Sequence, residues 1–106
     1  MMIDVVIKRI GVDIRTPEQY QYNTGQKLRI TGDYPESYTV EICNDGDRMP
    51  KSAEVPVDGI VPIPDECYAD GRDILCYVVY SSQDVSSGTW CTIRIPIIRR
   101  PRRSES

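Results

Sequence analysis

Six carboxylates stand in close pairs along the chain and are the side chains most suited to catalysis. Two carboxylates that face a cleft roughly 5–10 Å apart can hydrolyse a glycosidic bond. These six, however, cluster in predicted loops, where acidic side chains ordinarily cap turns and face water. The sequence has no histidine, which excludes Cys-His and Ser-His catalysis. We therefore predict that the protein is not an enzyme. The pairs are Asp45/Asp47, Asp65/Glu66 and Asp70/Asp73.

Four cysteines are the next group of residues that could carry out chemistry or bind a metal. They stand at positions 43, 67, 76 and 91, with no C-x2-C motif between them. Because no histidine can complete a ligand set, zinc binding is disfavoured. The acids of Asp45-Gly-Asp47 and Asp70-Gly-Arg-Asp73 do not match a calcium-binding EF-hand loop. We predict buried free thiols, no metal and no cofactor. A disulfide between Cys76 and Cys91 stays open as an alternative, since we expect their strands to pair.

Three aromatic residues in the C-terminal half suggest binding rather than catalysis. Trp90, Tyr77 and Tyr80 could form a platform on which a sugar stacks. They could equally be cross-strand packing partners, or anchors of a protein interface. Sugar binding requires an exposed Trp90, whereas packing requires a buried one.

Charge is distributed unevenly along the chain. Residues 1–98 carry nine bases and fifteen acids, a net charge of −6, whereas residues 99–106 carry four arginines and one glutamate, a net charge of +3. An acidic body repels nucleic acid, so we predict no nucleic-acid partner. The tail is either a solubilising end or a strap that docks onto a protein partner through charge-assisted hydrogen bonds. The candidate contact residues are Arg99, Arg100, Arg102 and Arg103.

Most of the chain alternates apolar and polar residues with the period of a β-strand. Ile3, Val5 and Ile7 are predicted to share a buried face, and 73–80, apolar on both faces, is predicted to be a central strand. We predict a polar connector at 16–25 and one short helical turn at 64–71, closed by Gly71. Ala53, Val55 and Val57 also alternate as in a strand. Further inward-facing sets are Leu28 and Ile30; Tyr38, Val40 and Ile42; and Cys91, Ile93, Ile95 and Ile97.

These segments predict an all-β fold. We expect an antiparallel β-sandwich of seven to eight short strands, Ig-like in style, with at most one short helical turn. Residues 1–98 are predicted to form a single domain and residues 99–106 a basic C-terminal tail. No apolar run approaches the length of a membrane span, and the first residues do not match a secretory signal. We expect folding in a reducing cytosol and no membrane partner.

Several segments together resemble a short β-sandwich module found in structural proteins of phages and prophages of Gram-positive bacteria. The resemblance spans nearly the whole chain and rests on turn and strand patterns. In that family the final segment is commonly followed by a long linker and distal domains, whereas this chain stops at Ser106. The matching segments are Leu28-Arg-Ile-Thr-Gly32, Tyr34-Pro-Glu-Ser-Tyr-Thr-Val-Glu-Ile-Cys-Asn44, Val61-Pro-Ile-Pro-Asp-Glu-Cys-Tyr-Ala-Asp-Gly71, Ile74-Leu-Cys-Tyr-Val-Val-Tyr80 and Thr92-Ile-Arg-Ile-Pro-Ile-Ile-Arg-Arg-Pro101.

The resemblance implies a non-catalytic protein of a tail, baseplate or head fibre. Its partners would be other virion proteins, in a homo-oligomer or another multivalent assembly, and it would be assembled in the bacterial cytoplasm and located in the virion. The family supplies no functional residues to transfer. We expect the contact surfaces near residues 53–63 and 96–103. The alternative is a carbohydrate-binding module that contacts host glycans through Trp90, Tyr77 and Tyr80.

Overall fold

A computed structural model describes residues 1–80 and 88–100 of the chain. Strands dominate this part of the molecule, so the predicted all-β class is confirmed. The elements are β1 (Met2–Ile7), β2 (Asp13–Arg15), β3 (Gln19–Tyr20), β4 (Lys27–Gly32), β5 (Tyr38–Asn44), β6 (Ser52–Glu54), β7 (Ile60–Pro62), α1 (Asp65–Asp70), β8 (Ile74–Tyr80), β9 (Gly88–Ile95) and β10 (Ile97–Ile98).

The strands form three sheets. The largest has the order β2-β9-β8-β5-β6, a second has the order β1-β4-β7, and β10 pairs with β3. Strand β8 lies at the centre of the five-stranded sheet, as its two apolar faces predict. The described residues contain ten strands rather than seven or eight. The excess arises because prolines divide longer segments: Pro96 separates β9 from β10, and Pro17 lies between β2 and β3.

The prediction of antiparallel pairing throughout is wrong for three strand pairs. β1 runs parallel to β4, β2 to β9, and β3 to β10. Side chains alternate with period two in either direction, so the sequence pattern carries no information on direction. The predicted connector 16–25 also contains a strand, β3. Backbone hydrogen bonds join residues 11–21 to the C-terminal strands. The Gly11 amide donates to the Trp90 carbonyl at 2.7 Å, and the Gln21 amide donates to the Ile98 carbonyl at 2.9 Å.

One hydrophobic cluster joins the three-stranded and five-stranded sheets. Ile3, Val5 and Ile7 are buried on one face of β1, as predicted. Buried residues of the other strands and of the helical segment form the rest of the core. The remaining buried members are Leu28, Ile30, Val40, Ile42, Val61, Ile63, Cys67, Tyr68, Ile74, Cys76, Val78, Cys91, Ile93 and Ile95.

The strand-like alternation at 53–57 extends past the strand that the structure contains there. Val55 is 70% exposed and Val57 73% exposed. Strand β6 ends at Glu54, and Pro56 cannot donate a ladder hydrogen bond, so the alternation continues beyond the sheet. Asp58 and Gly59 then form the expected turn, with φ values of 55° and 76°.

The single helix matches the predicted helical turn. It is six residues long, and Gly71 closes it at φ 88°. Asp65 at its start accepts a hydrogen bond from the Gly25 amide at 3.0 Å. Within the described residues, no helix has the length and apolar composition needed to cross a membrane.

Candidate functional site

The structure brings two of the three predicted platform residues together. The rings of Tyr80 and Trp90 lie 5.4 Å apart in a T-shaped arrangement. A register shift between Val78 and Val79 leaves Trp90 as an extra residue between the paired Cys91 and Thr89. Such a β-bulge turns Trp90 towards the core face, against which it is packed.

Tyr77 does not belong to this group. It is three residues from Tyr80 on the same strand, so the two side chains leave opposite faces of the sheet. Trp90 is half-buried, and its Nε1 donates to the Asp33 carbonyl at 3.0 Å. A T-shaped pair fixed in this way does not offer two coplanar rings for a sugar chain.

Two further tyrosines extend the pair into an aromatic row, which we define as Tyr34, Tyr38, Tyr80 and Trp90. Tyr38 lies directly opposite Tyr80 in the β5–β8 ladder, and the Tyr34 and Tyr38 rings are 5.5 Å apart. The row stands at the end of the core where β4 connects to β5. Sequence analysis placed Tyr38 on an inward face and gave no role to Tyr34. Only the register of β5 with β8 shows that they belong with Trp90.

A shallow groove adjoins the aromatic row at the edge of the five-stranded sheet. It has a volume of about 270 Å³ and is lined in part by Tyr38, Tyr80, Val79 and Val55. Val55, whose side chain is 70% exposed, lines the same groove as these two tyrosines. We call Tyr34, Tyr38, Val55 and Tyr80 the distal surface.

A second groove lies on the outer face of the five-stranded sheet, around Tyr77. Its volume is about 450 Å³, and its floor is Leu75 and Tyr77. Arg94 lines it but is already paired with Asp73 at 3.0 Å and Asp45 at 3.3 Å. Since its charge is balanced within the chain, Arg94 holds the C-terminal strands in place rather than attracting a ligand.

At the other end of the strands, a buried asparagine organises an ionic network, which we define as Asn44, Asp47, Lys51, Asp70 and Arg72. Asn44 is fully buried. Its Nδ2 donates to the carbonyls of Cys67 and Arg72, both at 2.9 Å, and its Oδ1 accepts from Lys51 Nζ at 2.6 Å. These bonds satisfy the polar atoms of the side chain at a site that water does not reach.

Four of the carboxylates considered for catalysis form ion pairs within the chain. Arg72 pairs with Asp70 at 2.6 Å and with Asp47 at 2.8 Å, and Lys51 pairs with Asp70 at 3.0 Å. Hydrogen bonds from Arg72 and Lys51 hold the pKa of the Asp70 carboxyl far below its ordinary value. The backbone hydrogen bond from Asn44 lowers the pKa of Asp47. A general acid needs a raised pKa, so these two carboxyls are unsuited to protonating a leaving group.

We predict an acid-sensitive contribution of Asp70 to stability. Because its pKa is lower in the folded state, the stabilisation is present above the unfolded pKa of about 3.9 and is lost as pH falls below it. The free energy of unfolding should therefore fall more steeply between about pH 5 and pH 2 in the native chain than in Asp70→Asn. Urea titrations across this range measure the slope. Asp4→Asn removes an exposed carboxylate, paired with Arg29, and serves as the control. Parallel slopes for the native chain and Asp70→Asn would contradict the prediction.

The four cysteines are free and buried, as predicted. Cys76 lies opposite Ile93 and Cys91 opposite Val78, so the two thiols are diagonal rather than direct neighbours. Burial raises the pKa of Cys67 and of Cys91 to about 11 and also raises that of Cys76. At neutral pH these thiols are protonated and poorly nucleophilic. Among residues 1–80 and 88–100, no group of three or more His, Cys, Asp or Glu side chains is arranged to hold a metal ion.

The first two tail arginines contact the domain itself. Arg99 Nε donates to the Gly71 carbonyl at 3.1 Å, and the Arg100 amide donates to Gln21 Oε1 at 3.0 Å. The Arg100 guanidinium also lies 5.8 Å from the centre of the Tyr20 ring. Both arginines remain exposed. Arg102 and Arg103 lie outside the described residues.

Gln21 is a buried residue that sequence analysis missed. Its Nε2 donates to the Ala69 carbonyl at 2.9 Å while its Oε1 accepts from Arg100, so it links α1 to the C-terminal segment. A glutamine in a polar connector carries no signal of burial. The C-terminal segment is thus held near the ionic network, and the distal surface lies at the opposite end of β5 and β8. Six residues separate these ends, a distance of roughly 20 Å.

The chain matches no family model, and no curated protein shows significant sequence similarity to it.

Proposed function

We propose that this protein is a non-enzymatic structural module of a phage virion, acting through protein–protein contacts in a tail, baseplate or head fibre. The observation that carries the proposal is the placement of two features at opposite ends of the domain. The distal surface, which contains three tyrosines and Val55, lies at one end, and the C-terminal segment is attached at the other. This arrangement suits a module that contacts one partner through the distal surface and a second partner near the C-terminal segment.

The contacts made by the carboxylates and the burial of the thiols support a non-enzymatic role. Asp45, Asp47, Asp70 and Asp73 form ion pairs within the chain, and Asp65 accepts a hydrogen bond from Gly25. The four thiols are buried in or beside the core. Surface contacts are therefore a better candidate for function than a reactive cleft.

We also propose that the fold is an Ig-like sandwich. Antiparallel β5, β8 and β9 correspond to the C, F and G strands, and antiparallel β4 and β7 in the other sheet correspond to B and E. The shared hydrophobic cluster supports face-to-face packing of the two sheets. β1 departs from this scheme because it pairs in parallel with β4.

Multivalent assembly follows from the same proposal. Partners would be other virion proteins or further copies of the chain, with assembly in the bacterial cytoplasm and the mature location in the particle. The net charge of −6 on residues 1–98 supports protein rather than nucleic-acid partners.

Particle incorporation tests the function. A tagged chain is expressed in a bacterial host while phage particles assemble, and purified particles are probed for the tag. Val55→Asp should reduce the particle-bound amount by roughly tenfold or more, because a charge placed in an apolar contact is costly. Met49→Asp is the matched control, since Met49 is 77% exposed and lies on the turn beside the ionic network.

Two results would overturn the proposal. One is absence of the native chain from particles. The other is specific binding to a glycan array that Trp90→Ala abolishes at unchanged thermal stability, which would favour the carbohydrate-binding alternative.

A further inference from the structure

β1 is an edge strand whose free side is unusually suited to pairing. It is the terminal strand of the three-stranded sheet and has the sequence Met-Ile-Asp-Val-Val-Ile. Within residues 1–80 and 88–100 it pairs only with β4. We propose that β1 is the pairing surface for a second copy of this chain. The two β1 strands would run antiparallel about a two-fold axis and join the two three-stranded sheets into one. This inference adds one assembly contact to the proposed function. It rests on that function only for the biological role of the dimer.

The hydrogen bonds to β4 show which backbone groups of β1 are free. Lys27 donates to the Met1 carbonyl at 3.0 Å, and Asp33 donates to the Ile7 carbonyl at 2.7 Å. The carbonyls of odd-numbered residues therefore face β4, and the amides and carbonyls of Met2, Asp4 and Val6 point away from it. They form a row of donors and acceptors spaced to match another strand.

The other sheet edges are poorer templates. β2, β6 and β7 are three residues long, and β7 contains Pro62. Short strands and proline are the usual protection against edge pairing. β1 has six residues with no proline and no lysine, and Val6 on its outer face is 59% exposed.

Self-pairing is favoured because β1 is complementary to itself when Val6 lies opposite Val6 of the second copy. Val5 then lies opposite Ile7, and the buried faces of both sheets stay on one side. Asp4 lies directly opposite Lys8 of the second copy, which places opposite charges near each other. Centring the pair on Asp4 instead would set the two Asp4 carboxylates directly against each other, where like charges repel. An antiparallel pair of identical strands also closes as a two-fold dimer.

Sedimentation analysis of the purified full chain tests the dimer. Val6→Pro removes an amide that points away from β4, so the β1–β4 ladder is retained. The loss of one hydrogen bond per chain should weaken the dimer by roughly 30-fold. Val6→Thr keeps the amide and the branched side chain, and should dimerise like the native chain. A native chain that stays monomeric at about 100 µM, a concentration that detects even weak association, overturns the proposal.

Directed cross-linking tests the register without relying on Val6→Pro. Residues opposite each other in a hydrogen-bonded pair have Cα atoms about 5.5 Å apart, within reach of a disulfide. Val6→Cys chains should therefore give a disulfide-linked dimer, whereas Asp4→Cys chains should not. A cross-link in Asp4→Cys, or none in Val6→Cys, contradicts the register. Since both experiments use purified protein, their failure leaves the virion role standing, and failed particle incorporation leaves the dimer standing.

Discussion

Replacing Asn44 with alanine is expected to lower the free energy of unfolding by about 3 kcal/mol or more. The side chain makes three hydrogen bonds at a fully buried site, to Cys67, Arg72 and Lys51. Its removal takes one donor from each of two carbonyls and deprives the Lys51 ammonium of one partner, and the loss of hydrogen bonds at a buried site is costly. In a domain of this size the melting temperature should fall by roughly 10 °C or more.

Asn23→Ala is the matched control for this experiment, since Asn23 is only partly buried. We expect it to change the free energy of unfolding by less than about 1 kcal/mol. Chemical denaturation followed by circular dichroism measures both variants. Equal effects at the two positions would show that the ionic network is not organised by Asn44. Since α1 and the Gly71 carbonyl are tied to this network, Asn44→Ala should also loosen the attachment of Arg99.

Gly32→Ala is expected to be the most damaging single-methyl change in the chain. Gly32 has a φ of 96°, and it pairs with Ile7 at the end of the β1–β4 ladder. A Cβ there would lie deep inside the van der Waals radius of the Ile7 carbonyl oxygen and 3.0 Å from the Ile7 nitrogen. β1 would have to move away from β4, so we expect a loss of about 3 kcal/mol or more, or failure to fold.

Gly11→Ala separates backbone strain from steric overlap. Gly11 has a φ of 82°, but a Cβ there would meet no atom within 4 Å. It should cost only the conformational penalty of about 1–2 kcal/mol. Soluble yield and thermal denaturation compare the two variants. If Gly32→Ala is no less stable than Gly11→Ala, close β1–β4 contact at Ile7 is not the reason for the glycine.

The strands with the clearest apolar patterns are the ones that sequence reasoning located well. β1, β4 and β8 lie within a residue or two of the predicted segments, and the buried faces of β1 and β4 are as expected. Each of these strands places apolar residues on at least one face, so burial and local pattern agree. The alternation at Val55 and Val57 gave a strand that is too long, because the pattern continues past the point where β6 ends.

The candidate sites were less predictable than the strands. The sequence singled out Trp90, Tyr77 and Tyr80, but alternation along β8 separates Tyr77 from the other two. The bulge at Trp90 and the register that adds Tyr38 to the aromatic row depend on pairing between distant segments. The sequence did not indicate the burial of Asn44, Lys51 or Gln21, since the local sequence around a polar residue is similar whether its side chain is buried or solvated.

By itself the sequence determined the all-β class, the central position of β8, the short helix closed by Gly71, and the burial of the four cysteines. Each of these follows from local pattern and from the cost of exposing apolar surface. Only the tertiary structure decided strand direction and sheet order, the ionic network around Asn44, and the distal surface opposite the anchored C-terminal segment. These properties depend on which distant segments become neighbours, and the period-two pattern is the same for every such pairing.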